Sequence, residues 1–276
     1  MIRRLAYLAL FSSLANFNLA AQDSAAAMSL DRIVINDAKI ALEDGLSYWS
    51  APAHFSGRDW IIAGGAAGGL IGLVSADSHL ASMFSIQTDD QLPNSPWEIP
   101  TYYGEFPYAG IFSAGVYTAG LFSGEKNIRV TGRLLLESLL FSGSAVIVLR
   151  YVTARTGPGP GGNSHDFKAF RWDAERQSFP SGHSVAAFAM STVLAEQINN
   201  PFASIGLYGM AALTAYSRVR FTQHWTSDVA AGSALGIATG LYVISRERER
   251  EGRGGANGGL SIMPTANGLC VQYSFR

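Results

Sequence analysis

The chain has 276 residues, with 20 Lys and Arg against 21 Asp and Glu and a formal net charge of −1. That balance excludes the basic footprint of a nucleic-acid-binding protein, and the length suffices for one large domain with a substantial core. Apolar residues make up 48 % and charged ones 15 %, yet mean hydropathy is only +0.14, so composition leaves soluble and membrane readings both open.

The N-terminus reads as an export signal. Arg3 and Arg4 form a basic start, Leu5 to Leu14 is mostly apolar, and Leu19-Ala20-Ala21 offers small residues for cleavage. Residues 1–21 are therefore expected to be a signal peptide, with an uncleaved anchor as the alternative. Next, Leu30, Ile33, Val34, Ala38, Ile40 and Ala41 recur at roughly helical spacing among charged residues, which predicts a surface amphipathic helix.

Six apolar segments follow: Trp60–Ala76, Tyr108–Ser123, Arg133–Val152, His183–Asn199, Phe202–Ser217 and Asp228–Ser245. Their length and Ala, Leu, Gly and Ser content predict about six core helices in an all-α bundle. Gly64-Gly65 and Gly68-Gly69 suggest close helix packing, since glycine otherwise weakens a helix. Most segments hold about 16 to 18 residues where a membrane span needs about 20. Glu137 and Glu196 fall within them, and a carboxylate in lipid is costly. Both features favour a bundle that buries these segments in protein, with a multi-pass inner-membrane protein as the alternative.

Gly- and Pro-rich stretches mark the loops, most clearly Thr156–Phe179. After the alternating Arg and Glu of Arg246–Arg250, glycines from Gly252 act as a linker. Asn267-Gly268 between two short β-prone runs predicts a small C-terminal hairpin. The expected organisation is residues 1–21 as signal, 22–251 as helical domain and 252–276 as linker and hairpin. The lone Cys270 has no intrachain partner and reads as a small hydrophobe. His54, His79 and His165 lack metal-ligand spacing, and Trp97, Tyr102 and Tyr103 are expected to pack a long loop.

Chemistry concentrates in two stretches. Pro180-Ser181-Gly182-His183 opens an apolar run, and a helix start offers free N–H groups and a positive dipole end to an anion. Ser217-Arg218, five residues, His224, three residues and Asp228 form the second stretch. Arg218 suits bidentate contact with phosphate oxygens. A carboxylate beside His224 can hold one ring nitrogen and leave the other free to attack phosphorus, while a second histidine protonates a leaving group. Asp228 begins an apolar helix for which Thr226 or Ser227 is the expected N-cap.

These two stretches resemble the second and third signature motifs of the type 2 phosphatidic acid phosphatase family. Its superfamily includes bacterial class A acid phosphatases and vanadium haloperoxidases. The resemblance runs from Arg150 to about Gly232. It implies an all-α bundle and a phosphomonoesterase acting on a lipid or small-molecule phosphate ester, with no metal or other cofactor required. By that resemblance His224 is the nucleophile that forms a phosphohistidine, Asp228 orients it and His183 is the general acid. Ser181, Gly182 and Arg218 hold the phosphate.

The family's first motif is Lys, six residues, then Arg-Pro. Here Arg150 stands in place of the lysine and Gly157, before Pro158, in place of the arginine. Arg155 lies two residues before Gly157, and in an extended segment such residues share a face, so Arg155 is expected to reach the phosphate pocket. Arg171, Arg176 and Arg220 are further cations nearby in sequence. The alternatives are a vanadium-dependent haloperoxidase and a phosphate- or lipid-binding protein without turnover. In membrane members of the family the site faces away from the cytoplasm after the third span. An external N-terminus followed by three spans would place it inside, which favours a periplasmic or exported protein resting on a membrane surface. Nothing in the sequence sets the oligomeric state.

Overall fold

The computed structural model describes residues 29–84, 96–159 and 161–252, together with the backbone of 259–265 and 268–274. Eight α-helices lie among the described residues: α1 Leu30–Ser50, α2 Gly57–Phe84, α3 Glu98–Tyr103, α4 Phe106–Ser123, α5 Lys126–Thr153, α6 Gly182–Ile198, α7 Pro201–Arg220 and α8 Thr226–Arg250. Short 3-10 turns cover Ala51–His54 and Ala174–Arg176. The expected signal peptide lies outside the described residues. Extended segments β1 Gly259–Thr265 and β2 Gly268–Ser274 pair antiparallel. Ala266 and Asn267, on which the predicted hairpin turns, lie outside the described residues. The chain divides at Asn36/Asp37 into two units, and helices α2 to α8 belong to the second.

Helix α6 lies at the centre of that unit. Its Ala186, Met190 and Val193 meet Leu134, Leu135 and Leu139 of α5 and Tyr242, Val243 and Ile244 of α8 in one buried cluster, with Ala109 contributed by α4. Small residues set how closely α8 approaches α6. A Cβ on Gly232 would sit 2.5 Å from the Ser181 carbonyl oxygen, and one on Gly236 2.5 Å from that of Val185. Both contacts are to backbone and cannot be relieved by a rotamer change. The glycines singled out in the sequence behave differently. Gly64, Gly65, Gly68 and Gly69 have nothing within 4 Å of a built Cβ, so they face open space and do not mediate packing.

Two more expectations need correction. The apolar segments understated the helices, because the polar ends remain helical: α2 and α5 each have 28 residues and α8 has 25. These three are long and apolar enough to cross a membrane. Nor are all of them buried in protein. Only 6 % of the most apolar window of α2 is buried, with Ile61 76 % and Ile71 69 % exposed. The residues that α2 and the second-unit part of α1 bury fully are acidic, although Tyr48 of α1 also stacks on Phe141. Asp77 is the buried residue of α2 and Asp44 one of two in α1, while Leu42 and Leu46 point outward. Asp44 pairs with Arg246 and Arg250. Glu137 is buried in protein against Arg133 at 2.7 Å, and Glu196 pairs with Arg248 at 2.6 Å.

Candidate active site

Four elements bring their ends together. Arg150 occupies the last turn of α5, which stops because Ala154 adopts a left-handed φ of 39° and returns its N–H to the Arg150 carbonyl at 2.8 Å. His183 is the second residue of α6. Ser181 caps that helix, its Oγ accepting from the Ser184 N–H at 3.5 Å and the Ser184 hydroxyl at 3.1 Å. Arg218 ends α7, and its carbonyl accepts the N–H groups of Gln223 at 3.0 Å and His224 at 3.2 Å. That backbone hook, with Thr222 at φ 56°, turns His224 back beside Arg218. Asp228 lies in the first turn of α8. The N-cap of α8 is Trp225, correcting the expected Thr226 or Ser227, and Asp228 closes the turn by accepting the Trp225 N–H at 2.9 Å.

His224 is held differently from the sequence expectation. Its Nδ1 lies 2.8 Å from the Ser178 carbonyl oxygen but 3.8 Å from Asp228 Oδ2. A carbonyl can only accept, so Nδ1 carries the proton and Nε2 keeps a free lone pair. Asp228 acts one residue further back. Its Oδ2 accepts the Ser178 hydroxyl at 2.5 Å, and Oδ1 accepts from Arg155. Ser178 thus links the two, with its side chain on the carboxylate and its carbonyl on the imidazole. Sequence reasoning missed it, because a backbone carbonyl leaves no mark in residue identity.

The cations around the histidines are partly dehydrated. Arg218 is buried, with Nε on Ser217 Oγ at 3.1 Å, Nη1 on Gln223 Oε1 at 2.7 Å and Nη2 on Thr101 Oγ1 at 2.5 Å. Burial pulls it down to about 10, partly offset by Glu105, so it stays charged at neutral pH. Thr101 and Glu105, unsuspected from sequence, arrive through the α3–α4 corner. Thr214 Oγ1 donates to the Pro100 carbonyl at 2.6 Å, and a Cβ on Gly104 would sit 2.5 Å from the His183 carbonyl oxygen. Arg150 reaches the Pro180 carbonyl at 3.4 Å, while its buried Nε has no partner. Gly182 makes room for it, since a Cβ there would lie 3.3 Å from Arg150 Nη2. Trp97 packs on Tyr216 and Phe221, as expected of a loop aromatic.

His183 is pushed down to about 3, by burial first and then by Arg218, His224 and Arg150. The site without an anion therefore holds His183 neutral. Between about pH 6.5 and about 3 the unfolded chain binds the extra proton, so stability falls as pH drops through that window. A phosphate among these cations offsets their charge and lets His183 take up the proton. Phosphate inhibition is therefore expected to tighten as pH falls from about 7 to about 5, beyond what the anion's own ionisation produces. His183→Asn should flatten that added dependence, and an identical slope in both proteins would show that His183 does not face the anion.

Two expected phosphate ligands are not free to act as such. Arg155 does leave the helix, forming an isolated bridge with Phe167, but its side chain is fully buried. Nε and Nη2 bond the Ser164 carbonyl at 3.0 and 2.6 Å, Nη1 bonds Ser227 Oγ at 2.7 Å and Asp228, and Nη2 bonds Asp77 at 2.6 Å. All five donors are engaged, so Arg155 stands behind Asp228 and does not clamp phosphate. The Ser181 hydroxyl is likewise buried in the helix cap. Gly157 does face the site, where a Cβ would lie 3.6 Å from Ser178 Oγ and 3.7 Å from the Gln223 carbonyl oxygen. Among the described residues, Arg150 and Arg218 are thus the cations that act on His183 and are left for an anion. Of the other candidates, Arg171 and Arg176 pair with Asp173 and Asp166 respectively, and Arg220 lies over Trp97.

Helix ends thus bring two histidines and two arginines together. Residues 132–251 match the PAP2 superfamily. Over 65 residues it is 42 % identical to a lipid A 1-phosphatase of Porphyromonas gingivalis, a match that covers 23 % of this chain and 15 % of that relative. The matched part is thus a small share of that protein's length. The crystal structure of Aquifex aeolicus LpxE aligns with a TM-score of 0.44 at 20 % identity, covering 61 % of this chain and 94 % of that one.

Proposed function

We propose that the protein is a phosphatase that hydrolyses a lipid phosphomonoester through a phosphohistidine on His224. The observation that carries this reading is the free Nε2 of His224, left by the Ser178 carbonyl on Nδ1, with His224, Arg218 and Arg150 all within the electrostatic reach of His183. Nε2 attacks phosphorus, the phosphorus–oxygen bond to the alcohol breaks, and His183 gives its proton to the departing oxygen. Water then attacks the phosphohistidine, His183 takes the proton from it, and inorganic phosphate leaves. Arg150, Arg218 and the N–H groups at the start of α6 neutralise the equatorial oxygens in both steps.

Two observations favour a lipid over a soluble ester. The outward faces of α1 and α2 are apolar while their fully buried residues are acidic, the arrangement expected of helices solvated by lipid. An apolar cavity of about 280 Å³ also opens between Tyr48, Phe55, Val148 and Leu235. We extend the proposal to a membrane-associated protein, with residues 1–21 as export signal, 22–251 as catalytic domain and 252–276 as linker and hairpin. The test is to quench the protein in alkali during turnover of a phospholipid monoester in mixed micelles. A phosphoenzyme stable in alkali and labile in acid is expected, as for phosphohistidine. Hydrolysis without that species would reject the two-step course, and halide oxidation dependent on added vanadate and peroxide would favour the haloperoxidase.

A further inference from the structure

We propose that Asp77 is a positioning residue for the His224 nucleophile, acting from α2 through Arg155 and Asp228; the inference rests on the phosphatase reading above. Asp77 is the buried residue of an otherwise exposed apolar helix. A carboxylate without partners at such a position is costly, and α2 has little apolar burial to offset it. The cost is met by three donors. Oδ1 accepts the Ser227 N–H at 2.8 Å, and Oδ2 accepts the Ser227 hydroxyl at 2.5 Å and Arg155 Nη2 at 2.6 Å. Docking of α2 at this point is therefore a polar plug into the first turn of α8, the turn that carries Asp228.

The consequence runs inward. Arg155 is a planar fork held between two carboxylates, Asp77 on Nη2 and Asp228 on Nη1, with Ser227 Oγ and the Ser164 carbonyl filling the remaining positions. Fixing one edge of that fork fixes the other. Asp228 is then directed at the Ser178 hydroxyl, and the Ser178 carbonyl at His224 Nδ1. With Gly157 in place of the family arginine, Arg155 supplies a buried cation that braces the nucleophile, and Asp77 keeps that cation aimed. The phosphate-facing Arg150 and Arg218 share no hydrogen-bond partner with Asp77, so its loss should act on chemistry and not on substrate capture.

The experiment compares wild type with Asp77→Asn on a phospholipid monoester in mixed micelles, with inorganic phosphate and orthovanadate as inhibitors. The variant places an N–H or a weaker acceptor against Arg155 at nearly constant volume. Its kcat is expected to fall roughly 10- to 100-fold, the loss typical when the outer partner of a reactive group is removed, with KM and phosphate inhibition changed less than about twofold. Vanadate, whose trigonal-bipyramidal form takes Nε2 as an apical ligand, should bind about tenfold more weakly. A purely structural role would lower the yield of folded enzyme and leave these ratios unmoved. Ser227→Ala, which keeps the backbone donor to Asp77 Oδ1, should show the same pattern at a smaller size and serves if Asp77→Asn does not fold. Unchanged kcat in the folded variant, or a rise in KM and phosphate inhibition at constant kcat, overturns the inference while leaving the phosphatase reading intact. An inert wild type would overturn both.

Discussion

His224→Ala is expected to remove turnover, with kcat falling by at least about 10⁴-fold, the scale seen when a covalent nucleophile is deleted. The size reflects the groups that remain. Arg150, Arg218 and the α6 N-terminus still hold the phosphate, so substrate capture survives and KM should move little. What disappears is the one lone pair aimed at phosphorus, since His183 is kept neutral as an acid-to-be and Asp228 is buried behind Ser178. The alkali-stable phosphoenzyme must vanish with the activity. Steady-state kinetics and quenched labelling on the same preparation check both. Retention of even a tenth of wild-type kcat would move the nucleophile elsewhere in the site.

Which parts of this arrangement were legible in sequence depends on how far each interaction reaches. His183 stood out in a helix-start motif, and Arg218, His224 and Asp228 in one short stretch that joins two helices, where spacing constrains geometry. Arg150 and Gly182 could be placed by resemblance, but their mutual fit, in which glycine makes room for a guanidinium, is a contact over 32 positions in the chain. Asp77 lies one residue beyond the apolar run Trp60–Ala76, and nothing in that run marks it. Its partners Arg155 and Ser227 are distant in sequence, so the pattern of helix α2 alone could not connect it to the nucleophile.

The misreading of Arg155 has the same physical origin. The expectation for Arg155 rests on an extended segment, in which residues two apart share a face, and Arg155 does lie outside the helix. Alternation does not say what the face meets. Two buried carboxylates capture a guanidinium more strongly than an anion that comes and goes, because an unpaired buried charge is costly at all times. The helix lengths failed for another reason. Apolar counting stops where side chains turn polar, whereas the backbone continues until a cap or a left-handed residue intervenes, as at Ala154. With α2, α5 and α8 at full length, segment length no longer speaks against a membrane.

Arg218→Ala is the second large effect, and it should fall on binding and chemistry together. Ser217, Gln223 and Thr101 each take one donor of Arg218, which leaves two of its five N–H groups for a phosphate. At about 10 its ionisation keeps the charge present throughout the working range. Because the negative charge on the equatorial oxygens is met in a partly dehydrated site, removing this group should lower kcat/KM by about 10²- to 10³-fold. It should weaken phosphate inhibition by a smaller factor, since Arg150 remains. Arg218→Lys keeps the charge but loses the fork that Ser217, Gln223 and Thr101 orient, so it should recover only a minor part. His183 supplies an internal control: with one of the cations that depress it removed, its proton affinity must rise, which stabilises the empty site at mildly acidic pH relative to wild type. A loss of kcat/KM without that shift would mean that Arg218 meets the phosphate from outside the histidine pair, and its place in the clamp would have to be redrawn.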